Sequence, residues 1–252
     1  LAGGKPVLVG LSPGEYAVPW EKVRAALSPR TRLILLNSPH NPSGAVFSAA
    51  DLDALEDLVR GTDVLLLADE VYEHIIFERL EHQSLARRAA LAERAFVISS
   101  FGKTFHATGW KIGYCCAPPE LTAEFRKVHQ FMVFAVSSAL QHGIAAYLAD
   151  SVPYETLPAF YQRKRDRFRA GLGASRFKLL PCAGTFFQVV DYSRISDEPE
   201  EQFARRLTID HGVAAIPLAA FYATPVQRNV VRFCFAKQEA TLDRALERLA
   251  KV

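Results

Sequence analysis

Short apolar runs recur along this chain, separated by stretches in which apolar residues return every three or four positions. Arg32–Asn37, Val64–Ala68, Ala95–Ser99 and Ile112–Cys116 are runs of the first kind, and Pro6–Leu11 reads the same way. Little polar alternation interrupts them, which predicts strands covered on both faces. Between them lie helical patterns. Ser48 is placed to cap the stretch "SAADLDALEDLVRG", with Leu52, Leu55, Leu58 and Val59 on one face and Gly61 as its stop. Pro19–Leu27 and Leu85–Ala92 predict shorter helices. Strand–helix–strand alternation predicts a parallel α/β sheet.

After Pro118 the period changes. Glu120–Met132 and Ser138–Asp150 predict helices, followed by the long "YETLPAFYQRKRDRFRAGLGAS". Its basic run, Arg163–Arg169, reads as a solvated helix face. Beyond Gly173 the order is strand, helix, strand, strand, helix. The strands are Phe186–Asp191, Val213–Pro217 and Val230–Phe235, and the last helix is Glu239–Lys251. Two domains are therefore expected: a large, mostly parallel α/β domain over residues 1–160, and a smaller α+β domain over residues 161–252. No internal repeat or low-complexity segment interrupts them.

Composition narrows the function. The 30 Lys and Arg against 27 Asp and Glu leave a net charge of +3, which argues against nucleic acid or an anionic membrane surface as the main partner. No apolar run is long enough to span a bilayer. The four cysteines, Cys115, Cys116, Cys182 and Cys234, have no metal-ligand spacing, and no H-E-x-x-H pair occurs among the seven histidines. Apolar neighbours predict buried, reduced thiols and a cytoplasmic setting. The chain begins at Leu1, not at a methionine, and an N-terminal part is expected to be missing from it.

Candidate chemistry gathers at the carboxyl ends of the predicted strands, where open α/β sheets bind ligands. One strand ends in "NSPHNPSG", the next in "DEVYEH", the third in "SFGKTFHATGWK". These supply Asn41, Asp69, Tyr72, Ser100, Lys103 and Lys111. Each has a plain structural reading: a turn for Asn41, a cap for Asp69, a core phenol for Tyr72. Together, an amide, a carboxylate, a phenol and two ammonium groups on one sheet edge make a site. A phosphate-binding P-loop is excluded by spacing. Its motif needs glycine at position 97, occupied by Val97, and no strong amphipathic helix follows Lys103. A pyridoxal 5'-phosphate (PLP) site suits the set better. It needs a lysine amine, a carboxylate for the pyridine nitrogen, donors to the phenolic oxygen, and donors or cations for the phosphate.

The motifs "NSPHNPSG", "LADEVYEH", "SSFGKTFHATGWKIGY", "RKVHQFMVFAVSSALQ" and "VVRFCFAKQEATL" resemble PLP-dependent aminotransferases of fold type I, class I/II, of the methionine/kynurenine type. They run in family order over nearly the whole chain. The resemblance implies that Lys103 is the Schiff-base lysine and that Asp69 pairs with the pyridinium nitrogen. It implies that Asn41 and Tyr72 contact the phenolic oxygen, and that Ser100 and Lys111 bind the phosphate. Arg232 would bind the substrate carboxylate, with Asn41 beside it. An arginine inside an apolar strand is independently costly unless partnered. Implied too are amino acid and 2-oxo acid substrates and a homodimer. Ser43 stands where the family turn usually has threonine. The family's small-residue phosphate loop and stacking aromatic ring lie upstream of Leu1, so this chain alone is expected to bind PLP weakly. The same fold also hosts β-lyases and non-catalytic regulator domains.

Overall fold

The structure, a computed structural model, describes residues 3–224 and 228–252. In chain order they form α1 (Trp20–Ala26), β1 (Leu33–Asn37), α2 (Ala49–Val59), β2 (Leu65–Asp69), α3 (Ala89–Ala92), β3 (Ala95–Ser100), α4 (Phe101–Thr104), β4 (Gly113–Cys116), α5 (Pro119–Met132), α6 (Ser138–Leu148) and α7 (Val152–Glu155). There follow α8 (Leu157–Leu172), β5 (Lys178–Leu179), β6 (Phe187–Asp191), α9 (Glu200–Asp210), β7 (Ile216–Pro217), β8 (Val230–Cys234) and α10 (Glu239–Leu249). The chain divides into two compact units. One joins Leu1–Ala26, His40–Ala45 and Ala159–Val252; the other joins Leu27–Pro39 and Val46–Pro158.

The second unit carries a sheet in the order β1-β2-β3-β4. β1, β2 and β3 pair in parallel, and β4 turns back antiparallel to β3. The register sets Asn37 beside Asp69 and Asp69 beside Ile98, so β1 and β2 end together and β3 runs two residues further, to Ser100. β2 and β3 alternate buried and half-buried positions, as strands under cover on both sides do. β1 departs from that expectation: Leu33 and Leu35 are exposed.

α2 starts where its capping box requires. Ser48 Oγ accepts from the Asp51 N–H at 3.2 Å, and the Ser48 N–H donates to Asp51 Oδ2 at 2.8 Å. Leu52, Leu55, Leu58 and Val59 are buried, and Gly61 follows with φ +70°. Leu85–Ala92 is not one helix but a 3-10 turn, Leu85–Arg87, followed by α3. Pro6–Leu11 forms no strand. Pro6 and Gly10 interrupt it, and Val7 and Leu8 are exposed.

The first unit carries a second sheet, β5-β6-β8-β7, antiparallel throughout. Its core joins Tyr16, Leu180, Val189, Leu218 and Val230, with Leu11 and Ala45 packed against it. The basic run of α8 is not simply a solvated face. Arg165 is 5% exposed and donates to the Cys182 carbonyl at 3.0 Å, and Arg169 donates to the Leu180 carbonyl and Gln188 Oε1 at 3.0 and 2.7 Å. These two lie one turn apart and tie α8 to carbonyls of the segment between β5 and β6. Arg167 points outward, to Asp243 of α10. The thiols also depart from expectation. Only Cys182 is buried, which pushes its thiol up to about 12; Cys115 and Cys234 are half-buried, and Cys116, on edge strand β4, is exposed.

Candidate active site

The loop after β2 is built tightly. Asp69 ends the strand, and its main-chain carbonyl accepts from Asn37 Nδ2 at 2.9 Å and from the Ser38 N–H at 3.1 Å. Its carboxylate turns back to accept the Val71 N–H at 3.1 Å. Those bonds leave the carboxylate half-buried at the carboxyl end of β2. Tyr72, three residues on, is 2% exposed.

The loop after β3 brings the lysine. Ser100 ends β3 and caps the single turn of α4, accepting the Gly102 N–H at 3.2 Å. Lys103 lies on that turn, and its ammonium stands 6.0 Å from the centroid of the Tyr72 ring. Gly102 is needed there, since a Cβ would come within 2.9 Å of Thr108 Cα. Thr108 also donates its hydroxyl to the Gly102 carbonyl at 3.2 Å. Lys111 is exposed and has φ +57°, a left-handed backbone uncommon for a side-chain-bearing residue. It sits two residues before Gly113, which pairs with Ser100 across β3 and β4. Asp69, Tyr72, Ser100, Lys103 and Lys111 are thus all on loops or strand ends of one unit.

Asn41 and Arg232 lie in the other unit, paired with one another. Arg232 Nη1 donates to Asn41 Oδ1 at 2.5 Å. The guanidinium lies over the Phe187 ring at 3.9 Å, with the Phe221 ring at 5.5 Å. Asn41 is presented by a turn in which Ser43 Oγ shares a 2.8 Å hydrogen bond with His40 Nδ1 and accepts the Ala45 N–H at 3.2 Å. The turn docks through the Gly44 carbonyl, which accepts from the Ala183 and Gly184 N–H groups at 3.0 and 2.9 Å. Burial lowers the His40 pKa to about 4, so its imidazole is neutral at pH 7.

Sequence reasoning missed the acids that hold these loops. Glu70, 2% exposed, accepts the Leu85 N–H at 3.0 Å and bonds His82 Nε2 at 2.7 Å. Glu73 receives the hydroxyls of Ser99, at 2.6 Å, and Tyr114 on one oxygen. Glu200, 2% exposed, takes the N–H groups of Ala219, Arg228 and Val230 at 2.5, 3.2 and 3.2 Å. The available signal for Glu70 and Glu73 was two further carboxylates within "DEVYEH". Among the described residues no cluster of potential ligands suits a metal ion, and no helix is long and apolar enough to cross a membrane.

A lysine amine, a carboxylate and a phenol at adjacent strand ends can bind a carbonyl covalently and move a proton. Known proteins share this framework. Residues 1–249 match the family Aminotransferase class I and II. The chain is 47% identical over 253 residues to methionine aminotransferase of Escherichia coli strain K12, covering 100% of this chain and 66% of that protein. It is 32% identical over 284 residues to human kynurenine–oxoglutarate transaminase 1, covering 100% of this chain and 67% of that one. Among solved structures, Escherichia coli YbdL, described as having a methionine aminotransferase function, matches with a TM-score of 0.94 at 47% identity. That match covers 96% of this chain and 64% of the other. The N-succinyldiaminopimelate aminotransferase of Mycobacterium tuberculosis matches with a TM-score of 0.90 at 36% identity, covering 95% and 63%. The chain spans about two thirds of the length of these relatives. It belongs to the class I and II aminotransferase family, and its fold is the fold type I architecture of those PLP-dependent enzymes.

Proposed function

We propose that the protein is a PLP-dependent aminotransferase that moves an amino group between an amino acid of methionine or aromatic type and a 2-oxo acid. The observation that carries this reading is the Lys103 ammonium facing the Tyr72 ring at 6.0 Å, with Asp69 at the end of the same strand that leads to Tyr72. The donor set suits the cofactor: an amine for its aldehyde, a carboxylate for its ring nitrogen, and the Ser100 hydroxyl and Lys111 ammonium for its phosphate. The methionine and kynurenine relatives, at 47% and 32% identity, support the substrate class. We further propose residues 1–160 as the cofactor-binding domain and 161–252 as the smaller one, a homodimer, and a cytoplasmic setting. The exposed side chains of Phe131, Met132, Val133 and Phe134 are consistent with a second copy, and four cysteines without disulfides with a reducing compartment.

When bound, PLP supplies an aldehyde and an electron-withdrawing ring that accepts the electrons of the substrate α-carbon. Lys103 would hold the aldehyde, and its amine, when free, would serve as the general base and acid for the substrate α-proton. Asp69 would hold the ring nitrogen in its protonated form. Tyr72 and Asn41 would donate to the phenolic oxygen. Arg232 binds the carboxylate common to amino acids and 2-oxo acids.

The test uses the intact gene product. After incubation with PLP and borohydride reduction, peptide mapping is expected to find the pyridoxyl label on Lys103. Methionine plus a 2-oxo acid is expected to yield a new amino acid. Lys103→Ala is expected to lose both. A label on Lys111, or release of ammonia and a thiol in place of a new amino acid, refutes the reading.

A further inference from the structure

Glu73 is among the acids that the proposed chemistry leaves unused. It follows Tyr72 directly, and its Oε1 accepts two hydroxyls, from Ser99 at 2.6 Å and from Tyr114. Ser99 and Tyr114 are themselves a directly opposed pair across β3 and β4. One carboxylate oxygen therefore fastens three chain segments: the loop after β2, the end of β3 and the start of β4. Burial and the Glu73 carboxylate both raise the Tyr114 pKa, so the phenol keeps its proton and donates it. His74 stands nearby, with Nε2 4.0 Å from the same oxygen. Glu73 is one-fifth exposed, so this is not a solvent-screened surface pair.

The three segments are those that carry the reactive groups. Tyr72, on the first, faces the Lys103 ammonium. Ser99, on the second, is followed by Ser100 and then by the α4 turn bearing Lys103. Tyr114, on the third, packs its ring against Phe101 at 5.3 Å, and Phe101 is the first residue of that turn. The turn has only four residues and cannot fix the lysine stem by its own hydrogen bonds. Besides the Ser100 cap, the Thr108 hydroxyl on Gly102 and the Phe101 N–H bond to Ile112, the Phe101–Tyr114 contact and the clasp beneath it hold its direction.

We propose that Glu73 is a positioning residue: through Ser99 and Tyr114 it fixes the turn that aims Lys103 at the Tyr72 ring. This rests on the reading of Lys103 as the cofactor-bearing lysine. A clasp of this kind acts on proton transfer and not on substrate affinity, since small displacements of an acid–base group cost rate.

The experiment uses the intact gene product carrying Glu73→Gln, Tyr114→Phe or Ser99→Ala. With α-deuterated methionine, Glu73→Gln is expected to lower kcat by about tenfold or more while KM stays within about twofold, and to raise the deuterium isotope effect. Independently of turnover, the rate at which PLP becomes trapped on Lys103 by borohydride is expected to fall. Tyr114→Phe and Ser99→Ala, each losing one donor, are expected to show the same changes to a smaller degree, and they carry the test if Glu73→Gln does not fold. A lower melting temperature with unchanged isotope effect and trapping rate overturns the proposal, because the clasp would then only hold the fold. No label on Lys103 in the wild type overturns the functional reading as well; a normal wild type with unaltered variants overturns this proposal alone.

Discussion

Arg232 interrupts β8 between Val231 and Phe233, both buried. A guanidinium in such a strand needs partners for its charge, and it has the Asn41 carbonyl oxygen and the Phe187 ring face. Arg232→Ala is expected to raise KM for amino acids and 2-oxo acids alike. A lost charge-assisted carboxylate contact amounts to roughly 1.5–3 kcal/mol, or about 10- to 150-fold in affinity. Steady-state kinetics with amine substrates lacking a carboxylate provide the control: an equal loss there would make Arg232 structural. Arg232 and Lys103 were legible in the sequence because a charge in or beside an apolar run is conspicuous. Phe187 and Phe221 were not, because an aromatic residue in an apolar stretch looks like any core residue. Glu200 was hidden too, since an acid in the first turn of a helix is what the helix dipole ordinarily favours.

At the scale of elements, the turn over residues 40–45 is the most informative. It presents Asn41 to Arg232 and is braced by the bond between His40 and Ser43. Burial holds the His40 pKa at about 4 against its usual 6.5. As pH falls, the unfolded chain takes up this proton first. The stability that neutral His40 confers is therefore complete above pH 6.5 and is lost as pH drops toward 4, at up to about 1.4 kcal/mol per pH unit. His40→Gln is expected to flatten the slope of the urea midpoint between pH 6.5 and 5. An unchanged slope would mean that His40 is not buried as described. The regular elements were largely readable: α2 with its cap and stop, β1 to β3 by their unbroken apolar runs, and α5 by its period. Pro6–Leu11 failed because apolar content names a strand only if another strand lies beside it. The reversed direction of β4 was equally out of reach, for a short apolar run carries no sign of parallel or antiparallel pairing. The inward turn of Arg165 and Arg169 depends on carbonyls that belong to residues 180–182.

At the scale of the molecule, the chain passes between its two units repeatedly, since Leu1–Ala26 and His40–Ala45 belong with Ala159–Val252. Tyr16 packs into a core whose other members are Leu180, Val189, Leu218 and Val230. Chains are made from N to C, so Tyr16 has no core to enter until Val230 has left the ribosome. The residues of the parallel-sheet unit all precede Ala159, so they have no such wait. Contacts between distant residues also form slowly in solution because loop closure precedes them. The two tryptophans report on this separately, Trp20 in the split unit and Trp110 in the other. On refolding, Trp110 fluorescence in Trp20→Phe is expected to recover ahead of Trp20 fluorescence in Trp110→Phe; simultaneous recovery would contradict it. Newly made chains would then carry Leu11 and Tyr16 without their core partners until residues 180–230 have followed. The stretch around Tyr16 is thus one on which a nascent-chain chaperone would find a long hold.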